Sequence, residues 1–197
     1  MCTSLASELA DSFFLTEELE NPHLGEFYDH LSRFPGQYNP HAFPMQAYFF
    51  EQRERREREA QRSGQFLIVD RFLQEYFEIF VRNMFDSGLI SPGEFEALRE
   101  KHHEAMTPDI HPQVVYLLTS SLEENYRRVQ KRARDFEKAN LSLSYLSSLA
   151  EKYSQFAETL RSEFKDIQLV LLDTQGLSPS DVHKAVREDL DNRIRKK

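Results

Sequence analysis

Gly64-Gln65-Phe66-Leu67-Ile68-Val69-Asp70-Arg71-Phe72 is the stretch on which the fold turns. A helix-stopping glycine precedes four apolar residues, and an acid and a base follow where a buried strand would emerge at its carboxyl end. Open α/β sheets place their chemistry at such ends. A short apolar strand is ordinarily core, and Asp70 beside Arg71 is ordinarily a structural ion pair. The same two residues at a strand exit also suit the holding of phosphate or metal, so other segments have to decide.

Working outward, the residues on either side alternate between strand and helix signals. Upstream, Phe13 to Leu15 forms a brief apolar strand that runs into Glu17, Glu18 and Glu20, preceded by a short helical pattern over Thr3 to Ala10. Carboxylates in such a cluster usually mark a solvated loop, but at a strand exit one of them can act as a general base. Leu24, Phe27, Tyr28 and Leu31 share a helical face, and Met45 to Arg62 returns to helix after a proline-rich loop. The second half of that helix, R-E-R-R-E-R-E-A-Q-R, reads as a solvated end supported by the pairs Glu51–Arg55 and Glu54–Arg58.

Downstream, Leu73, Tyr76, Phe77, Phe80, Val81, Met84 and Phe85 recur at helical spacing on one wide apolar face that Gly88 ends. Ser91-Pro92-Gly93-Glu94 is a capping box with proline at the first helical position. Gln113 to Thr119 is a third strand, and the helix after it concentrates Arg127, Arg128, Lys131, Arg132 and Arg134. Such a cluster serves solubility, or it closes over phosphates. Leu146, Leu149, Tyr153, Phe156, Leu160 and Phe164 form a long stripe suited to core or a subunit interface. Ile167 to Leu172 is a fourth strand, and Ser178 opens a last helix bearing Val182, Val186, Leu190 and Ile194. Strands alternating with helices predict an α/β fold, a mostly parallel sheet with helices on both faces.

Composition narrows the function classes. The 197 residues suit one domain, residues 1–197, and a net charge of −8 with a pI near 5.4 argues against a general nucleic-acid binder. The lone Cys2 excludes an internal disulfide, and no apolar run is long enough to cross a membrane. With neither a signal-peptide nor a transit-peptide pattern at Met1, the cytoplasm is the expected compartment; the mitochondrion stays open if sequence precedes Met1. His102 and His103 are adjacent and diverge on a helix, and no H-E-x-x-H or G-x-S-x-G occurs, so no metal site or catalytic triad is legible.

The order of motifs nevertheless resembles the deoxynucleoside kinase family nearly end to end. The resemblance is carried by L-T-E-E-L-E-N-P-H-L-G-E-F-Y (Leu15 to Tyr28), M-Q-A-Y-F-F-E-Q-R (Met45 to Arg53), V-D-R (Val69 to Arg71) and R-V-Q-K-R-A-R-D-F-E (Arg128 to Glu137). L-S-Y-L-S-S-L (Leu143 to Leu149) and the strand ending Leu171-Leu172-Asp173 fall in family positions too.

The resemblance implies a P-loop-kinase-like fold, a dimer, and transfer of the ATP γ-phosphate to the 5′-hydroxyl of a deoxynucleoside with Mg2+. By the same resemblance Glu17 would be the catalytic base, with Glu18 as second choice. Gln46, Arg53 and a stacking Phe80 would read the base, and Tyr28 and Glu137 would hold the 3′-hydroxyl. Arg71 would orient the attacking hydroxyl, and Asp70 would lie near the metal. Arg128, Arg132 and Arg134, in a lid over about residues 127–138, would clamp the phosphates, with Asp173 on the ATP side.

Three departures stand out. The family's D/E-R-S is Asp70-Arg71-Phe72; Tyr76 stands where relatives pair an aspartate with the base-reading arginine; and no G-x-x-x-x-G-K-[ST] precedes the first strand. The expected first, central strand and its phosphate loop are therefore missing from these residues. Two readings follow, a kinase impaired in this form or a non-catalytic binding or structural relative.

Overall fold

The structure, a computed structural model, describes residues 12–15, 21–62, 66–106, 112–132 and 142–194. The helix expected over Thr3 to Ala10, the carboxylate cluster of Glu17, Glu18 and Glu20, the glycine stop at 64, and Arg134 and Glu137 lie outside these residues.

All four expected strands form within about a residue of their sequence limits. β1 (Ser12–Leu15) runs parallel to β2 (Phe66–Val69), with Leu15 opposite Val69. β3 (Val114–Thr119) runs parallel to β4 (Gln168–Asp173), with Val114 opposite Gln168 and Thr119 opposite Asp173. The single sheet expected from the sequence is, among the described residues, two separate two-stranded parallel sheets.

The expectation of a fully buried central strand does not hold either. Leu67, Ile68 and Val69 are half-buried, Leu118 of β3 is 41% exposed and Leu171 of β4 is 47% exposed. The reason is topological: a parallel strand is fully covered only with neighbours on both edges and helices on both faces.

The helices carry the core instead. α1 (Leu24–Arg33) and α2 (Ala42–Arg62) are tied by a device repeated in the chain, Asn21-Pro22-His23 and Asn39-Pro40-His41. In each, the asparagine oxygen accepts from the histidine N–H two residues on, at 2.9 and 3.0 Å. The amide nitrogens donate to Met45 O at 2.9 Å and Phe27 O at 3.0 Å. Both asparagines are buried, so each loop's polar groups are satisfied by the helix it packs against.

The charged half of α2 departs from the solvated helix expected of it. Arg53 and Glu57, one turn apart, are 3% and 2% exposed and continue the buried face of Ala42, Met45, Gln46 and Phe50. The Glu54–Arg58 pair forms at 2.9 Å, whereas Arg55 turns to Gln52 and Glu51 reaches Lys101 at 3.1 Å.

The wide-faced helix after β2 divides into α3 (Leu73–Glu75), a π-helical turn (Tyr76–Val81) and α4 (Arg82–Asp86). Leu73, Tyr76, Phe77, Ile79, Val81 and Met84 are all buried there. Widened turns of this kind recur at functional sites. Gly88, at φ +71°, ends the segment as expected, and α5 (Pro92–Ala105) opens on the Ser91/Glu94 capping box.

α6 (Leu122–Arg132) follows β3, and α7 (Leu143–Glu163) packs its stripe, including Phe156 and Leu160, against Phe72 and Ile79. α8 (Pro179–Ile194) closes the described chain with Val182, Val186 and Leu190 buried. Ile79 and Phe80 pack against Phe156 and Leu160 of α7, while Leu73, Tyr76, Phe77, Val81 and Met84 belong to the cluster built with Met45 and Phe50 of α2 and Leu98 of α5.

His102 on α5 stacks on Phe77 with ring centroids 4.7 Å apart, and burial, with His103 and Arg82 nearby, lowers its pKa to about 4. The unfolded chain binds this proton near pH 6.5 and the folded one only near 4. Stability should therefore fall as pH drops through that window, by up to about 3 kcal/mol for this group. Urea unfolding at pH 7 and 4.5 should show a drop in the native chain that His102→Phe removes. Equal drops in both would overturn the assignment.

Candidate active site

The site residues gather where β2 ends. Arg71 follows the strand at φ +64°, the one non-glycine positive φ among the described residues. A left-handed backbone at a residue with a side chain costs about 1–2 kcal/mol and persists only where surroundings enforce it. Its effect is to turn the side chain out of the strand direction, so that the guanidinium lies over the Phe80 ring, 4.6 Å from the centroid.

Phe80 in turn faces Tyr76 at 6.1 Å, and Tyr76 stacks on Phe49 of α2 at 5.8 Å. These three rings form an aromatic wall contributed by α2 and the π-helical turn.

Polar groups converge on that wall. Arg53 reaches over Tyr76, 5.6 Å from its centroid, and donates from Nη2 to the Asp70 carbonyl at 2.7 Å and to the Tyr76 hydroxyl at 3.4 Å. Its other neighbour is Glu57, 3.9 Å from Nε. Burial lifts the Glu57 carboxyl to about 8, against the pull of Arg53. The arginine left without an aspartate partner by the Asp-to-Tyr departure thus meets a carboxylate from its own helix. The i, i+4 spacing of Arg53 and Glu57 was the available signal for this.

Gln46, two turns before Arg53 on α2, is 2% exposed. Its Nε2 reaches only the Met84 thioether at 3.6 Å, a weak acceptor, and its Oε1 has no hydrogen-bond partner. Asn83 Nδ2 is buried in the same condition.

Other expected site residues lie on other elements. Tyr28 lies on α1, half-buried and edge-on to Phe27 at 5.1 Å. Arg128 is engaged within the chain: Nε donates to Glu124 at 2.7 Å, Nη1 to Thr174 Oγ1 at 2.9 Å and Nη2 to Thr174 O at 2.6 Å. These bonds lock α6 onto the turn after β4, so in this conformation Arg128 acts as a strut. Arg132 is exposed at the end of α6, and Asp173 is exposed and accepts from Gln175 N at 2.9 Å. The structure therefore gathers Arg53, Asp70, Arg71 and Phe80 where β2 ends, packs Tyr28 against the same hydrophobic cluster as Phe49 and Phe80, keeps Gln46 on the buried face of α2 that carries Arg53, and places Arg128, Arg132 and Asp173 on α6 and at the end of β4.

Among the described residues, no cluster of three metal-ligating side chains forms, and no helix is long and apolar enough to cross a membrane. An aromatic wall, a buried amide and a guanidinium are chemically suited to a planar base; of the cations expected to meet phosphate, Arg71 stands at this wall, and Arg128 and Arg132 are on α6.

The family model "Deoxynucleoside kinase" matches residues 3–196. Among curated proteins, the deoxyadenosine/deoxycytidine kinase of Bacillus subtilis (strain 168) is 27% identical over 155 residues, 78% of this chain and 68% of that protein. The deoxyguanosine kinase of the same organism is 26% identical over 180 residues, 87% of this chain and 80% of that one. Among solved structures, deoxyadenosine kinase from M. mycoides with bound dCTP superposes with a TM-score of 0.75 at 18% identity, over 97% of this chain and 91% of that one. With its products bound, the same enzyme gives 0.76 at 17% identity over 96% and 90%. With the α/β kinase-like fold matched at this length and the family model spanning nearly every residue, this chain belongs to the deoxynucleoside kinase family.

Proposed function

We propose that this chain binds a deoxynucleoside against the Phe49–Tyr76–Phe80 wall, and that the reaction it serves is phosphorylation of the 5′-hydroxyl. The observation that carries this is Gln46: a fully buried amide with an unpartnered oxygen costs stability unless a ligand completes it. An amide presents one donor and one acceptor in a plane, which matches the paired edge of a base. Phe80 gives that base a stacking face, and Arg53 adds a donor beside it.

ATP with Mg2+, when bound, supplies the phosphoryl group and neutralises its charge. The chain's own part is proton removal by Glu17, orientation of the hydroxyl by Arg71, sugar contacts from Tyr28 and Glu137, and phosphate contacts from Arg128, Arg132 and Arg134, with Asp70 toward the metal and Asp173 toward ATP. Arg128 would have to leave Thr174 to take up this role. Dimerisation and a cytoplasmic setting belong to the same reading; sedimentation at micromolar concentration and cell fractionation test them.

Calorimetry against the four deoxynucleosides should find at least one that binds, and Gln46→Ala should weaken it about 10- to 100-fold, the worth of one or two buried hydrogen bonds. Absence of binding by all four would end this reading. A second reading is a nucleoside-binding relative without catalysis. It predicts the same binding with no phosphoryl transfer.

A further inference from the structure

The catalytic reading leaves unexplained what holds Arg71. Its backbone is left-handed, its side chain is about one-third exposed, and stacking on Phe80 fixes the plane of the guanidinium without fixing its position along the ring. One helical turn on, at the end of α3, Glu75 brings its carboxylate to 4.0 Å from Arg71 Nε. That distance is electrostatic contact and not a hydrogen bond, so the carboxylate acts on the guanidinium through its field.

Glu75 is itself pinned from a remote part of the chain. Tyr153, on the second half of α7, donates its phenol hydrogen to Glu75 Oε1 at 2.7 Å across a sequence separation of 78 residues. Burial raises the Glu75 pKa; Arg71, the Tyr153 hydroxyl and Arg53 work against that rise, and Asp70 adds to it. These are the charged and polar groups facing it from β2's exit, α2 and α7. Two turns earlier on α7, the Tyr145 phenol lies beside Asn83 and within the field of Arg71, so the same helix flanks the arginine twice. Tyr153 reads as one more member of an apolar stripe in the sequence, and its hydroxyl has no packing reason to be there.

We propose that Glu75, held in place by Tyr153, is the positioning residue that keeps Arg71 aimed at the reacting hydroxyl and phosphate. The assignment rests on the kinase reading above for what Arg71 does, but not for what holds it. Glu75 and Tyr153 touch neither substrate nor reacting atoms in this account; they act through Arg71. Tyr153 also makes α7, the helix that follows the cationic segment ending at Glu137, part of the frame of the catalytic centre.

The experiment has two arms on the whole chain. In turnover, Tyr153→Phe should lower kcat about 10-fold with the deoxynucleoside KM within about twofold, because substrate still binds but Arg71 is no longer aimed. Adding Tyr153→Phe to Glu75→Gln should cost little more, since both act along one path. In the second arm, nitrogen-15 NMR follows the Arg71 Nε–H, assigned by its loss in Arg71→Lys. Its chemical shift should report one orientation in the native chain, and the signal should move or broaden in Tyr153→Phe.

A native chain that transfers no phosphoryl group removes the kinase reading and leaves the NMR arm to decide this one. An Arg71 Nε–H signal unchanged by Tyr153→Phe, or a kcat loss that adds fully in the Glu75→Gln background, overturns the proposal.

Discussion

Arg53→Met is expected to destabilise the chain by about 2–3 kcal/mol at pH 9 and by about 1–2 kcal/mol at pH 6, the difference being set by the roughly one pH unit between pH 9 and the folded pKa of Glu57. Arg53 and Glu57 are both almost fully buried and 3.9 Å apart, with Glu57 Oε1 otherwise unpartnered. Removing the cation strands a carboxylate in a medium that disfavours its charge. Burial already raises Glu57 from 4.5 to about 8, and losing Arg53 raises it further.

The sign follows from proton binding. A carboxyl whose folded pKa exceeds its unfolded value contributes stability at low pH that is lost as pH rises through the folded pKa. In the variant that loss continues above pH 8, where the native chain's loss has ended. At pH 6 Glu57 is protonated in both proteins, and the variant lacks mainly the hydrogen bond from Arg53 to the Asp70 carbonyl. The double variant Arg53→Met/Glu57→Leu should recover most of the pH 9 loss, since a packed apolar pair of similar volume has no charge to strand. Denaturant unfolding of the three proteins at both pH values measures this. Equal losses at pH 6 and 9, or a double variant no more stable than the single, would show that Glu57 is not the partner that matters.

This pair also marks where sequence reading reached its limit. Strand and helix order was legible because it rests on local signals: four apolar residues before Asp70, the Ser91/Glu94 box, the glycine at 88. The family was legible because motif order survives low identity.

What failed required knowing which face of an element is covered. Glu57 sits in a run of alternating charges that any periodicity rule assigns to solvent, yet the helix rotates that one residue inward with Arg53. Tyr153 looks like core in a stripe, and only the tertiary approach of α7 to α3 reveals its hydroxyl against Glu75. Arg128 counts as one more cation in a basic cluster until Thr174, 46 residues away, is seen to accept two of its bonds. The π-helical turn over Tyr76–Val81 has no local sequence signature, and it buries Ile79, a residue that the helical spacing leaves off the predicted apolar face.

Joining a strand and a complete G-x-x-x-x-G-K-T segment ahead of Met1 is expected to raise phosphoryl transfer at least about 10³-fold over the 197-residue chain. Backbone N–H groups and a lysine in such a loop fix the β and γ phosphates, and losing even one preorganised donor of this kind typically costs about 10²- to 10³-fold. The sequence itself contains no G-x-x-x-x-G-K-[ST]. The nearest spacing, Gly88 to Gly93, is followed by Glu94-Phe95 and serves as the entry to α5, where Glu94 is committed to the Ser91 cap. Arg71 and Arg132 attract phosphate without fixing an in-line geometry, and Arg128 is held by Glu124 and Thr174.

The same extension should stabilise the fold. Among the described residues β2 pairs only with β1 and β3 only with β4, yet Val69 of β2 and Val115 of β3 pack against one cluster built on Phe72, Phe156 and Leu160. A parallel strand seated between them would pair both open edges and cover side chains that are now half-exposed. Amide exchange in β2 and β3 should therefore slow in the extended protein, independently of turnover. Equal turnover by the two proteins, abolished in both by Glu17→Gln, would instead make the 197-residue chain a complete catalyst that holds its phosphates by another route.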